Sequence, residues 1–90
     1  MEFVWNEEKD EWLRVHRGVS FEEIAVALRD EQEPIIEENS ARPEQLLFVL
    51  KIRDYTWVVP FVIDERDRLV LKTAYPSRKY HRRYGGKSYG

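Results

Sequence analysis

Three apolar segments rich in β-branched residues follow one another with almost nothing between them: QLLFVLKIR (45–53), TWVVPFVID (56–64) and RLVLKTAY (68–75). Only DY (54–55) and ERD (65–67) join them. Parallel strands need a crossover of about a dozen residues or more, so connections this short confine the three segments to an antiparallel meander. The last segment alternates Leu69, Leu71, Thr73 and Tyr75 against Val70, Lys72 and Ala74, the period of a strand with one buried face. Pro60 interrupts the middle segment; it cannot donate to a ladder, which places it at a bulge or an unpaired edge.

What precedes the meander reads as helical. EFVW (2–5) suits a short strand, after which Asn6 is an N-cap and Glu7 and Glu8 occupy a first helical turn, where the dipole favours anions. Trp12, Val15 and Leu13 make a modest apolar face, and Arg17-Gly18 ends the helix. In VSFEEIAVALRDE, Ser20 and Glu23 have the spacing of a capping box, Val19 and Ile24 that of a hydrophobic staple. Phe21, Ile24, Ala25 and Leu28 share one face of this second helix. PIIEEN (34–39) reads as an edge strand and SARPE (40–44) as a turn. SRKYHRRY (77–84) reads as a short helix with Pro76 at its start, and residues 85–90 as a frayed tail. The predicted fold is α+β, a single domain over residues 1–90. Two N-terminal helices pack on one face of a three- to four-stranded antiparallel sheet, with a short basic C-terminal helix.

Composition narrows the class. Apolar residues make up 42% and charged residues 36%, as in a globular chain. Without Cys there is neither a disulfide nor a thiolate metal site, which fits a reducing cytoplasm. MEFVWNEEKD lacks the basic flank and apolar stretch of a signal peptide, and WVVPFVI (57–63) is too short to span a bilayer. The expectation is a soluble cytoplasmic protein of bacterial type.

Charge is distributed unevenly. Residues 66–90 hold eight Lys and Arg against Asp67 alone, a net of +7; the chain's −2 overall leaves −9 for residues 1–65. One polyanion-facing end on an acidic body follows from that split. No P-loop, dinucleotide fingerprint or HExxH is present, and His16 and His81 have no metal-ligand spacing, so no metal or cofactor is expected. Ser20 is explained as a cap.

The remaining constellation is KTAYPSRKYHRRY (72–84). Arg and Lys neutralise phosphates, and tyrosines stack on unpaired bases. Arg53, Lys72, Lys79, Tyr80, Arg83 and Tyr84 are the candidate RNA contacts. RNA cleavage by the neighbouring 2′-OH requires proton transfer and cations for the charge that develops. His81 or Tyr75 is assigned the proton transfers, Arg78 and Arg82 the charge. The competing explanation is a solvated helix end whose tyrosines are half-buried packing groups.

FVWNEEK followed by HRGVSFEEIAVAL resembles the N-terminal part of BrnT-type toxins, ribonucleases of type II toxin–antitoxin systems related in fold to RelE. That family reads F-x-W-D-x-x-K, then K-H-G-V-S-F-E-E-A, then S-A-R and an Arg-rich helix. Phe3, Trp5, Lys9, Gly18, Val19, Ser20, Phe21, Glu22 and Glu23 fall in register. Asn6 replaces the usual Asp, Leu13 a common Asn and Arg17 the His; Thr73-Ala74-Tyr75 stands for S-A-R, so Tyr75 takes the place of an Arg implicated in catalysis. The resemblance implies a metal-independent endoribonuclease that acts on RNA and is held by an antitoxin encoded nearby. DNA would be met only indirectly, through that antitoxin. The alternatives are a non-catalytic RNA-binding module on the same fold and a protein-interaction domain.

Overall fold

The computed structural model describes residues 1–85. The expectation of a frayed tail over 86–90 lies outside them. The elements run β1 (Phe3–Trp5), α1 (Glu7–Arg17), α2 (Phe21–Asp30), β2 (Ile35–Glu38), β3 (Leu46–Ile52), β4 (Tyr55–Ile63), β5 (Leu69–Leu71), β6 (Tyr75–Pro76) and α3 (Arg78–Tyr80). A π-helical turn, His81–Gly85, continues α3.

Local chemistry sets the helix ends. The Asn6 side chain accepts from the Lys9 N–H at 2.8 Å, and Gly18, at φ 70°, closes α1 in the left-handed conformation that glycine adopts without a Cβ penalty. Ser20 Oγ accepts from the Glu23 N–H at 3.0 Å. Asp10 joins the two helices by accepting from the Phe21 N–H at 2.7 Å.

The sheet is six-stranded and mixed, in the order β1-β5-β4-β3-β2 with β6 also on β4. This corrects the expectation of three or four antiparallel strands: β1 pairs in parallel with β5, Phe3 opposite Leu69 and Trp5 opposite Leu71. The meander of β3, β4 and β5 is antiparallel, and β2 is an edge strand. Its first turn is Arg53-Asp54, one residue earlier than DY, with Ile52 opposite Tyr55. Both turn residues have positive φ (50° and 66°), the twist that suits a two-residue hairpin.

Pro60 lies opposite a bulge. Phe61 pairs with Leu71 and Val58 with Tyr75, so Val59 and Pro60 face three residues, Lys72–Ala74. The Pro60 carbonyl accepts from the Lys72 N–H at 2.9 Å. N and C=O of an extended residue point to the same side, so the missing donor faces the irregular stretch. An extra residue also reverses side-chain parity. Leu69 and Leu71 are buried on one face, Ala74 takes up that face after the bulge, and Tyr75 emerges on the other.

The two faces carry separate cores. Leu13 from α1 and Phe21, Ile24, Ala25 and Leu28 from α2 pack with Phe3, Phe48, Ile52, Val59, Phe61, Leu69 and Leu71. Of the expected α1 face only Leu13 is buried; Trp12 is 39% and Val15 71% exposed. On the opposite face Tyr80 and Tyr84 pack with Leu47, Val49 and Val58. The C-terminal helix therefore covers the side of the sheet away from α1 and α2. Among the described residues no helix is long and apolar enough to cross a membrane.

Candidate nucleic-acid interface

The C-terminal helix begins where the chain leaves β6. Ser77, in extended conformation, accepts from the Tyr80 N–H at 3.2 Å through its side chain, so Ser77 and not Pro76 is the cap. Pro76 belongs to β6. The docked side of the helix is Tyr80 and Tyr84, which leaves Arg78, Lys79, Arg82 and Arg83 exposed.

Docking decides which candidates can meet a ligand. Tyr80 is only 8% exposed, and its ring stacks at 6.3 Å on that of Tyr84. It presents no open face to a base, a correction to the expected stacking role. Tyr84 is half-buried, and its hydroxyl donates to Glu37 Oε2 on β2. That hydrogen bond to the carboxylate, with burial adding to it, raises the Tyr84 pKa. Arg83 Nη1 donates to the same oxygen at 3.3 Å and lies 5.4 Å from the Tyr80 ring. Both residues hold the helix on the sheet.

Arg53 is likewise committed, donating to Glu23 Oε1 at 2.9 Å, and it sits in the hairpin turn rather than on a strand face. The side chains of Arg78, Arg82 and Lys72 are exposed and have no hydrogen-bond or ion-pair partner among the described residues. Lys79 leans on the Tyr80 ring at 5.1 Å.

Tyr75 stays at the surface, 36% exposed, just after the bulge and three residues before Arg78. Partial burial, with the neighbouring Tyr80 adding to it, raises its pKa above the ordinary tyrosine value. At neutral pH the group is a hydroxyl, a weaker acid than free tyrosine but still able to give its proton to an alkoxide. Residue 74, one position before it, is tied to α1, because Arg17 Nη1 donates to the Ala74 carbonyl.

His81 is enclosed. Its Nδ1 lies 3.0 Å from the hydroxyl of buried Thr56, and its ring stacks on Tyr55 at 4.2 Å. A Cβ added to Gly85 would fall 2.5 Å from Nδ1, so the backbone closes over that edge of the ring. Gly85 is buried, which corrects the reading of it as tail. Only Nε2 remains for chemistry.

Sequence reasoning missed Thr56, Glu37 and Arg17. Thr56 had a legible signal: it shares strand parity with Val58 and Pro60, so a polar side chain was bound for the interior. Glu37 and Arg17 act across 47 and 57 residues of sequence, and no local pattern announces such partners.

Concavity does not mark the site. A groove of about 270 Å³ is lined by Leu28, Glu31, Glu33, Val49, Lys51 and Tyr84 among others, and its carboxylates repel phosphate. No cluster of three metal-ligating side chains occurs among the described residues.

No protein-family model and no curated protein matches the sequence. A solved structure does match the fold: the ribonuclease toxin BrnT of Brucella abortus, determined at 1.1 Å. The TM-score is 0.63 at 14% sequence identity, over 86% of this chain and 96% of that one. The chain has the fold of that ribonuclease toxin.

Proposed function

We propose that the protein is the endoribonuclease toxin of a type II toxin–antitoxin pair. The observation that carries this reading is the fold likeness to BrnT over nearly the whole of both chains. The free cations and exposed tyrosine at the bulge and on α3 supply the chemistry.

RNA lies against Lys72, Tyr75, Arg78 and Arg82, with Lys79 at the margin. The 2′-OH attacks the adjacent phosphorus, the P–O5′ bond breaks, and a 2′,3′-cyclic phosphate forms. Arg78 and Arg82 stabilise the charge that grows on the phosphoryl oxygens. Tyr75, a hydroxyl at neutral pH, gives its proton to the departing 5′ oxygen. His81, through Nε2, takes the 2′-OH proton, its ring orientation held by Thr56 and Tyr55. The reaction proceeds without a metal ion and survives EDTA.

A small antitoxin covers the basic surface in the resting complex, and contact with DNA belongs to that partner. Inducible expression with and without the neighbouring gene tests the pair: growth arrest and RNA loss are expected only without it. Unimpaired growth at a confirmed protein level, alone and with the partner, would overturn the reading.

Two observations favour a second reading, an RNA-binding module without cleavage. His81 is packed on three sides, and Tyr75 stands where the resemblance expects an Arg. Salt-sensitive RNA binding that leaves the RNA intact would select it.

A further inference from the structure

Trp12 is the largest side chain of α1, yet it contributes nothing to either core. Its indole stays 39% exposed on a helix that buries only Leu13, so it is covered by its own helix neighbours and not by the sheet. Cations surround it. The Lys9 ammonium lies 4.2 Å and the Arg17 guanidinium 4.8 Å from its ring, and the His16 ring centroid is 4.8 Å away. Acids share the helix: Asp10 accepts from the Phe21 N–H and pairs with Arg14, and Glu8 and Glu11 lie on the flank, so the cations are local to the ring and not a net charge of α1.

The cluster is also joined to the candidate site. Arg17 touches the Trp12 ring and donates to the Ala74 carbonyl, one residue before Tyr75. Tyr75 emerges on the face opposite α1, so a strand that meets both groups passes from one face to the other at residues 74–75, where Arg17 holds the backbone.

We infer that Trp12 is a stacking platform for one nucleobase of a bound single RNA strand, with Lys9 and Arg17 placed for the adjoining phosphate. The inference rests on the RNA-directed reading above and extends it to a second contact. Indole faces accept any base, and such stacking is sequence-tolerant. Lys9 has no side-chain partner but the ring, so its ammonium is free to swing to the phosphate as a base takes its place. Arg17 stays anchored at Ala74.

The probe is a short 2′-O-methyl oligoribonucleotide, which lacks the attacking hydroxyl and stays whole, together with a fully abasic oligonucleotide of equal length. Trp12→Ala should weaken binding of the first roughly 5- to 100-fold at low salt, and Trp12→Phe should recover most of it. Wild type and Trp12→Ala should bind the abasic strand alike. Unchanged binding by Trp12→Ala, with Arg78→Ala weakened, would overturn the platform and leave the RNA reading standing. Equal losses on both probes would also overturn it, since the effect would not depend on bases. A wild-type protein that binds neither probe would remove the RNA reading, and this inference with it.

Discussion

The Tyr84 hydroxyl donates to the Glu37 carboxylate, fastening the C-terminal helix to the edge strand β2. This bond and the Arg83–Glu37 ion pair add to the packing of Tyr80 and Tyr84 on Leu47, Val49 and Val58, which buries one side of the C-terminal helix. Arg78 and Arg82 face outward as a consequence.

The Tyr84 pKa is raised first by that hydrogen bond, so the bond stabilises the fold below the ordinary tyrosine pKa and is lost as pH rises through the folded value. An ultraviolet titration should show a tyrosine ionising later than free tyrosine, coupled to undocking of the helix. Tyr84→Phe should remove that late step and lower stability by about 1 kcal/mol or less, because the site is partly wet. Tyr75, also raised, supplies the remaining late ionisation.

Helix α1 buries one side chain. Leu13 is fully buried whereas Val15 is 71% exposed. Leu13→Ala should cost about 3 kcal/mol in denaturant unfolding, the scale of a buried leucine truncation. Val15→Ala should stay within about 0.5 kcal/mol.

Asp64 shapes the acid limb of stability. The Arg68 backbone N–H first, then the Arg68 side chain and the Arg66 N–H, hold its carboxyl below the usual range against a smaller opposing effect of burial. A depressed carboxylate stabilises the fold above its unfolded pKa and ceases to do so as pH falls through the folded one. Asp64→Asn should therefore flatten the stability profile on the acid side, below the ordinary aspartate value, as read by thermal melts across pH.

What the sequence disclosed was mostly local. Asn6 and Ser20 announce their helices because a cap is a bond to the residue three positions on, and the short connections leave the meander no other arrangement. The parallel pairing of β1 with β5 stayed hidden, since nothing near Phe3 specifies Leu69. At the site, the bulge reversed the parity that placed Tyr75 beside Leu69 and Leu71. Tyr80 and Tyr84 looked like base-stacking groups because a tyrosine's pattern is the same whether its ring meets a sheet or a ligand. Arg78 and Arg82 needed only exposure, which their helical spacing from Tyr80 and Tyr84 provides.

Binding should follow the unpaired charges. Arg78→Ala with Arg82→Ala should weaken RNA binding and reduce the salt slope by about 0.7 for each single-strand phosphate that is no longer neutralised. Arg83→Ala should act partly through the helix dock, because Arg83 is already paired with Glu37. Removing Arg14, Arg29 and Arg42 together should matter less, and salt-dependent binding isotherms compare the two sets. Equal losses would contradict a localised surface.

The central claim is that this fold, with Tyr75 and Arg78 beside its bulge, cuts RNA. The most direct measurement incubates purified protein with RNA in EDTA and determines the product ends, for wild type, Tyr75→Phe and Arg78→Ala. The account predicts 2′,3′-cyclic or 3′-phosphate ends from wild type, and cleavage abolished or strongly reduced in both variants while they remain folded by circular dichroism. Intact RNA after incubation with folded wild-type protein, or full cleavage by Arg78→Ala, would contradict it.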